Sequence, residues 1–297
     1  MSLGKSIRIA RNLPCAALVL ACMLDASAVR SQTGSPSYGE NQSPINIVSA
    51  RVPFDPNAPK LEDLQSLNNP LTFTLKNTSW GPWCGAAECV GSVDPRWGAL
   101  KAYPPEGSAP KIRFNGQTYT LVEFHFHSPA EHIVDGGLAD MEVHFVFKKD
   151  APATCAPDQL LVIGRRIVNG DPAPEVRALW DKIFGKVVEL PVNSASHYTK
   201  TDGLVLGILL RGIEKTYRYQ GSLTAPAFID GCGNPPGNPN QQLASGDLPE
   251  VVSWVLLADP IAMLPQQIGR FQTLFPNGNA RAPQALLKQN VKKTFTQ

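Results

Sequence analysis

The sequence lacks a strong excess of either charge. Its 27 lysine and arginine residues stand against 25 aspartate and glutamate residues, for a formal net charge of +2, which argues against a protein that binds nucleic acid. It also lacks an apolar run that could cross a bilayer, because residues 13–24 fall short of the roughly 20 residues that a spanning helix needs. No internal repeat or change in composition marks a second domain, and 43% hydrophobic residues are typical of one ordinary folded domain.

The N-terminus has the pattern of a secretory signal. Three basic residues precede the apolar run, and Ala26-Ser27-Ala28 follows it as a cleavage site of the A-x-A type. We expect residues 1–28 to be a signal peptide and residues 29–297 to form a single exported domain, periplasmic or secreted. A minor alternative is a lipoprotein attached through Cys22, because the residues before Cys22 loosely resemble a lipoprotein motif.

The cysteines do not form a zinc pattern, because no two of them have C-x-x-C spacing. Removal of the signal leaves four: Cys84, Cys89, Cys155 and Cys232. Export would place them in an oxidising compartment, which favours disulfide bonds. Three pairings are possible, and the sequence alone leaves them open.

The apolar pattern predicts a mainly β chain with a few surface helices. Residues 71–76 alternate between apolar and polar side chains, and Asn115-Gly116 predicts a β-hairpin turn. Apolar residues at helical spacing predict helices over residues 173–185 and 264–275.

Two stretches are rich in glycine and proline, residues 77–111 and residues 229–250. This composition disfavours regular structure, so we interpret both as loop insertions in the single domain.

Histidines are few in the chain, five in all, and three of them lie within residues 125–132. Residues 119–127 read as a strand, in which alternate side chains share a face. One face then carries Tyr119, Leu121, Glu123, His125 and His127. The other carries Val122, Phe124 and Phe126, which we expect to contact a core.

A second strand, residues 141–147, repeats this arrangement. It places Glu142, His144 and Val146 on one face and Met141, Val143, Phe145 and Phe147 on the other. A turn near Asp135-Gly136-Gly137 can return this strand antiparallel to the first, so that His144 faces the same side as His125 and His127.

Three neutral imidazoles with no fourth protein ligand describe an open, catalytic zinc site. Each ligand histidine needs an acceptor for its other ring nitrogen, and Glu123 and Glu142 are placed to serve His125 and His144. The alternative is that both carboxylates are simply exposed to solvent. His132 falls outside the alternation, and we interpret it as a buried structural histidine rather than a fourth ligand. His197 reads as a residue of a surface loop.

With this pattern of histidines and glutamates, the sequence resembles an α-class carbonic anhydrase. The similar segments follow the order of the family: Gln42–Ile47, Phe124–His127, Glu131-His132, Glu142–His144, Tyr219–Pro226, Ser253–Leu256, Asp259–Ile261 and Asn279–Arg281. They extend over most of the chain after the signal.

The resemblance implies a central, mostly antiparallel sheet of ten strands with helices on its surface. It implies a Zn²⁺ cofactor on His125, His127 and His144, and reversible hydration of carbon dioxide to bicarbonate and a proton by a zinc-bound hydroxide. Thr224 would accept the hydrogen bond of the hydroxide and pass its own proton to Glu131. Asn279 joins Glu123, Glu142 and His132 as a support for the ligands. The apolar wall of the substrate pocket would be Val146, Val162, Leu223, Val252 and Trp254.

The chain departs from the family at three places. Glu123 stands where glutamine is usual, and a carboxylate should raise the basicity of His125. The usual proton-shuttle histidine is missing, since the corresponding place reads Asn77-Thr78-Ser79-Trp80. The usual N-terminal cysteine is also missing, so Cys232 would have to pair with one of the other three. Two further readings stay open: a related binding module without activity, and a zinc-hydroxide esterase. The oligomeric state is not predicted.

Overall fold

The computed structural model describes residues 39–78, 98–150, 159–185, 190, 198–225 and 247–296. The predicted signal peptide with Cys22, the four later cysteines, Ser79, His197 and most of the second loop insertion lie outside these residues. No helix in the described part of the chain is long and apolar enough to cross a membrane.

The described residues form fifteen strands and two α-helices. The strands are β1 (Asn46–Ile47), β2 (Leu61–Glu62), β3 (Leu71–Thr78), β4 (Ala99–Tyr103), β5 (Lys111–Phe114), β6 (Gln117–His127), β7 (Ile133–Val134), β8 (Gly137–Leu138), β9 (Met141–Lys149), β10 (Leu160–Asn169), β11 (Thr199–Leu204), β12 (Thr216–Gly221), β13 (Val252–Leu257), β14 (Ile261–Met263) and β15 (Lys292–Lys293). The helices are α1 (Pro174–Phe184) and α2 (Pro265–Leu274). The predicted mainly β fold with surface helices is confirmed.

Most strands of the described residues belong to one large sheet. Its main order is β11-β3-β4-β6-β9-β10-β13-β12-β15, with β5, β2 and β14 attached beside it. Most pairs are antiparallel, and β10 runs parallel to β13 and β14. The sheet has twelve strands rather than the predicted ten. Two of them, β2 and β15, have only two residues each, which is too short to show an alternation of apolar and polar residues in the sequence. A small second sheet joins β1, β7 and β8.

Two apolar clusters pack against this sheet. The larger one contains the phenylalanines of β6 and β9 together with Trp180 and Phe184 of α1 and Phe271 of α2. The five apolar residues that predicted α1 are all buried, so this helix prediction is confirmed. The smaller cluster includes Val162, Tyr219, Val252 and Trp254.

The alternation along β6 changes phase at Val122, which the sequence did not reveal. The pairing register between β6 and β9 shifts between Leu121 and Glu123, as expected for a β-bulge with one extra residue. Val122 is therefore 41% exposed, whereas Tyr119 and Leu121 are buried in the core with Phe124. The predicted faces of Tyr119, Leu121 and Val122 were wrong.

The first predicted loop insertion also contains regular structure. Strand β4 lies within residues 77–111, with Leu100 and Ala102 fully buried. Strand β3 extends to Thr78, and β5 begins at Lys111. The prediction of irregular structure was wrong for these parts, because the short alternation in β4 is hidden between glycine and proline.

Candidate metal centre

Strands β6 and β9 bring three histidines together in the lining of one pocket. His125 and His144 are direct partners across the antiparallel pair, and His127 follows on the same face of β6. The ring centroid of His144 lies 5.2 Å from that of His125 and 4.7 Å from that of His127. One possible ligand atom from each residue lies within 4.8 Å of the others. The Asp135-Gly136 turn that returns the chain has positive φ at both residues.

Each of these histidines uses one ring nitrogen in a hydrogen bond to the protein. Nδ1 of His125 lies 2.9 Å from Oε1 of Glu123. Nδ1 of His127 lies 3.0 Å from the carbonyl oxygen of Asn279, and Nε2 of His144 lies 2.9 Å from Oε1 of Glu142. Within the described part of the chain the second nitrogen of each ring forms no hydrogen bond and is left for another ligand.

The free nitrogens fit a zinc ion. Nε2 of His127 is buried and has no hydrogen-bond partner among the described residues, which is costly unless a ligand binds there. Burial, followed by the nearby His144, lowers the pKa of His127 to about 3. Burial also lowers the pKa of His125, against the opposing effect of Glu123. The neutral imidazole is the form that binds a metal.

Glu142 links two buried histidines, His132 and His144 of the proposed centre. Its Oε1 lies 2.7 Å from Nδ1 of His132, and its Oε2 accepts the backbone N–H groups of Glu131 and His132 at 3.0 and 2.7 Å. The other ring nitrogen of His132 lies 2.7 Å from the Tyr219 hydroxyl. His132, Glu142 and His144 also lie close enough to hold a metal, but both nitrogens of His132 already have protein partners, so this group is a hydrogen-bond network.

Asn279 joins the C-terminal part of the chain to the centre. Besides the carbonyl that faces His127, its side-chain oxygen accepts the N–H of Ser128 at 2.8 Å. Its Nδ2 donates to the carbonyl oxygens of Gly98 and Phe126 at 2.8 and 2.9 Å. Asn279 therefore orients His127 through a backbone atom that is itself held by three side-chain hydrogen bonds.

Glu131 is a fully buried carboxyl group beside His144. Burial raises its pKa to about 7, although His144, the backbone N–H of Arg281 and a hydrogen bond with Thr224 lower it in part. Oε1 accepts the Arg281 N–H at 2.8 Å. Oε2 lies 3.8 Å from Nδ1 of His144 and has no hydrogen-bond partner among the described residues.

The pocket above the histidines is small and mainly apolar. Its volume is about 100 Å³, well below the roughly 300–1,000 Å³ of sites for drug-sized ligands. The apolar residues predicted for its wall all line it: Val146, Val162, Leu223, Val252 and Trp254. Trp254 packs 4.9 Å from the ring of His144 and 4.8 Å from that of His132.

Lys101 also lines the pocket, and sequence analysis missed it. Its Nζ lies 3.6 Å from Oε1 of Glu123. Burial opposes the charge of Glu123, but His125 and Lys101 outweigh it and lower the pKa of Glu123 to about 2. The signal that could have found Lys101 was its position between the apolar residues Leu100 and Ala102.

Comparison with known proteins finds similarity to carbonic anhydrases. A family model described as eukaryotic-type carbonic anhydrase matches residues 30–230. The chain is 24% identical over 248 residues to a carbonic anhydrase of Pectobacterium carotovorum, covering 84% of this chain and 78% of the relative. It is 27% identical over 281 residues to human carbonic anhydrase 7, covering 87% of this chain and 90% of the relative.

Proposed function

Because the chain belongs to the eukaryotic-type carbonic anhydrase family, we propose that it hydrates carbon dioxide reversibly to bicarbonate and a proton, with Zn²⁺ held by His125, His127 and His144. Membership of the family makes the chain an enzyme that acts on a small molecule. The observation that carries the zinc assignment is the cluster of three imidazoles, two of them buried and that of His125 14% exposed. Each has one ring nitrogen bonded to the protein and the other left for a ligand.

Zinc, when bound, supplies the chemistry for which this family is a standard example: it lowers the pKa of a water molecule so that a nucleophile exists near neutral pH. The chain's own contribution is to hold the ligands. Glu123, Asn279 and Glu142 accept from the outward nitrogens and fix the tautomers of His125, His127 and His144 respectively. This leaves Nε2 of His125, Nε2 of His127 and Nδ1 of His144 for the metal.

Thr224 and Glu131 orient the attacking group. The backbone N–H of Arg281 holds Oε1 of Glu131 in place, so Glu131, in its ionised form, can accept a hydrogen bond from the Thr224 hydroxyl. Thr224 then offers only an acceptor toward the pocket, and a nucleophile that donates to it has its lone pair aimed at the substrate. This positioning lowers the barrier without moving a proton to the substrate.

The apolar wall provides a place for an uncharged substrate. Carbon dioxide has no charge and accepts hydrogen bonds weakly, so a dry surface of valine, leucine and tryptophan beside the histidines suits it. The small volume of the pocket favours this substrate over an ester with a bulky leaving group.

We also propose the features that lie outside the described residues. The pattern of residues 1–28 supports a signal peptide, residues 29–297 would form one exported domain, and its four cysteines would form disulfide bonds.

Metal analysis combined with stopped-flow hydration of carbon dioxide tests this function. We expect stoichiometric zinc, hydration at a modest rate that depends on buffer, and loss of hydration in His144→Ala. A folded wild-type protein without zinc or hydration activity would instead indicate a binding module.

A further inference from the structure

Lys101 projects into the proposed zinc pocket from a neighbouring strand. It lies on β4 directly opposite His125 of β6, and it lines the same cavity as the three histidines. Its side chain is only 19% exposed, so a charged group stands close to the metal ligands in a largely apolar pocket. Nothing in the proposed reaction uses this charge.

The contact that Lys101 makes explains its presence. Its Nζ lies 3.6 Å from Oε1 of Glu123, whose side chain is 7% exposed. Both oxygens of Glu123 also lie against Nδ1 of His125, at 2.9 and 3.0 Å. A neutral imidazole can donate a hydrogen bond to this carboxylate but cannot neutralise its charge. A buried carboxylate without a cation is strongly unfavourable, and Lys101 is the cation within ion-pair distance of Glu123 in the described part of the chain.

We propose that Lys101 is a positioning residue for the metal centre: it pairs with Glu123 and so holds the carboxylate against Nδ1 of His125, leaving Nε2 of His125 aimed at the metal. The inference rests on the zinc site of the proposed function and adds a residue on a third strand to it. Lys101 and Glu123 form one unit in this interpretation, and a change in either residue should alter the orientation of the His125 ring.

A double-mutant cycle in Lys101→Met and Glu123→Gln tests the unit. Lys76→Met is the matched control, because Lys76 is the cross-strand neighbour of Lys101 on β3 but its Nζ lies over the ring of Tyr103, 5.9 Å from its centroid. The readout is the zinc dissociation constant, measured by competition with a chelator. Lys101→Met should weaken zinc binding about 10-fold or more, the usual range for loss of a group that orients a ligand. Lys101→Arg should restore most of it, and Lys76→Met should change nothing.

In the Glu123→Gln background, Lys101→Met should have little further effect, since the charge that Lys101 neutralises is gone. An equal effect of Lys101→Met in both backgrounds would overturn the proposal, as would zinc affinity unchanged by Lys101→Met.

A second readout uses no zinc. The ring-nitrogen spectrum of His125 in the apo-protein, recorded by NMR with ¹⁵N-labelled histidine, should show the Nδ1–H tautomer in wild type and a mixture in Lys101→Met. A wild-type protein that binds no zinc refutes the proposed function, whereas an unchanged His125 tautomer in Lys101→Met refutes the role of Lys101.

Discussion

Gly164 lies on the neighbouring strand β10. Because it has no side chain, it leaves room for the carboxylate of Glu142 beside the metal centre. It is the partner of His144 across β9 and β10. A Cβ atom at this position would lie 2.9 Å from Oε1 of Glu142, 3.0 Å from Cδ1 of Leu256 and 3.6 Å from Cδ2 of His144. Leu256 can turn its methyl group away. Glu142 cannot move cheaply, because it is fully buried and its two oxygens lie against two backbone N–H groups and two histidine rings.

Gly164→Ala should therefore displace the carboxylate that fixes His144. Overpacking a well-packed core costs about 1–3 kcal/mol, and the lower chain entropy of alanine offsets about 0.5–1 kcal/mol of this in a strand. We expect a net loss of about 1–2 kcal/mol in the free energy of unfolding of the apo-protein. Zinc affinity should fall about 10–100-fold, because Glu142 orients a ligand.

Urea unfolding of the apo-protein and chelator competition for zinc measure the two effects. Gly269→Ala is the matched control: a Cβ there meets nothing within 4 Å in helix α2, so it should stabilise the protein by up to about 1 kcal/mol and leave zinc affinity unchanged. Gly164→Ala with wild-type zinc affinity would refute the reasoning that Glu142 is held in one position.

Three further outcomes follow from the same geometry. Trp254→Ala should lower the free energy of unfolding by about 3–5 kcal/mol, measured by urea denaturation, because the indole packs on His132 and His144; a loss below 1 kcal/mol would contradict this. Glu123→Gln should retain zinc and move the midpoint of the pH–rate profile to lower pH, since glutamine makes His125 a less basic ligand; an unchanged profile would contradict this effect of Glu123 on His125. Hydration should accelerate with buffer concentration, because no histidine beyond the three of the centre lines the described pocket; a rate independent of buffer would require another proton acceptor.

The sequence predicted those features that depend on local periodicity. The faces of β9 and the burial of α1 follow from spacings of two and of three to four residues, and His144 could be placed beside His125 because a short turn joins their strands. The mainly β class was correct for the same reason.

Features that depend on distant parts of the chain could not be predicted in this way. The bulge at Val122 changes the phase of an alternation without any glycine or proline to mark it. Lys101 meets Glu123 only after β4 pairs with β6. The carbonyl of Asn279 reaches His127 from 152 positions along the chain, and a backbone atom leaves no trace in a residue pattern. Asn279 was named before the structure only through the resemblance to the family.

The measurement that tests the central claim most directly is the zinc content of two single variants after removal and return of the metal. His127 belongs only to the proposed centre, and His132 only to the neighbouring group with Glu142 and His144. With folding checked by circular dichroism, His127→Ala should lose the zinc that the wild type binds, and His132→Gln should retain it. Zinc retained in His127→Ala and lost in His132→Gln would place the metal in the other group and contradict the account.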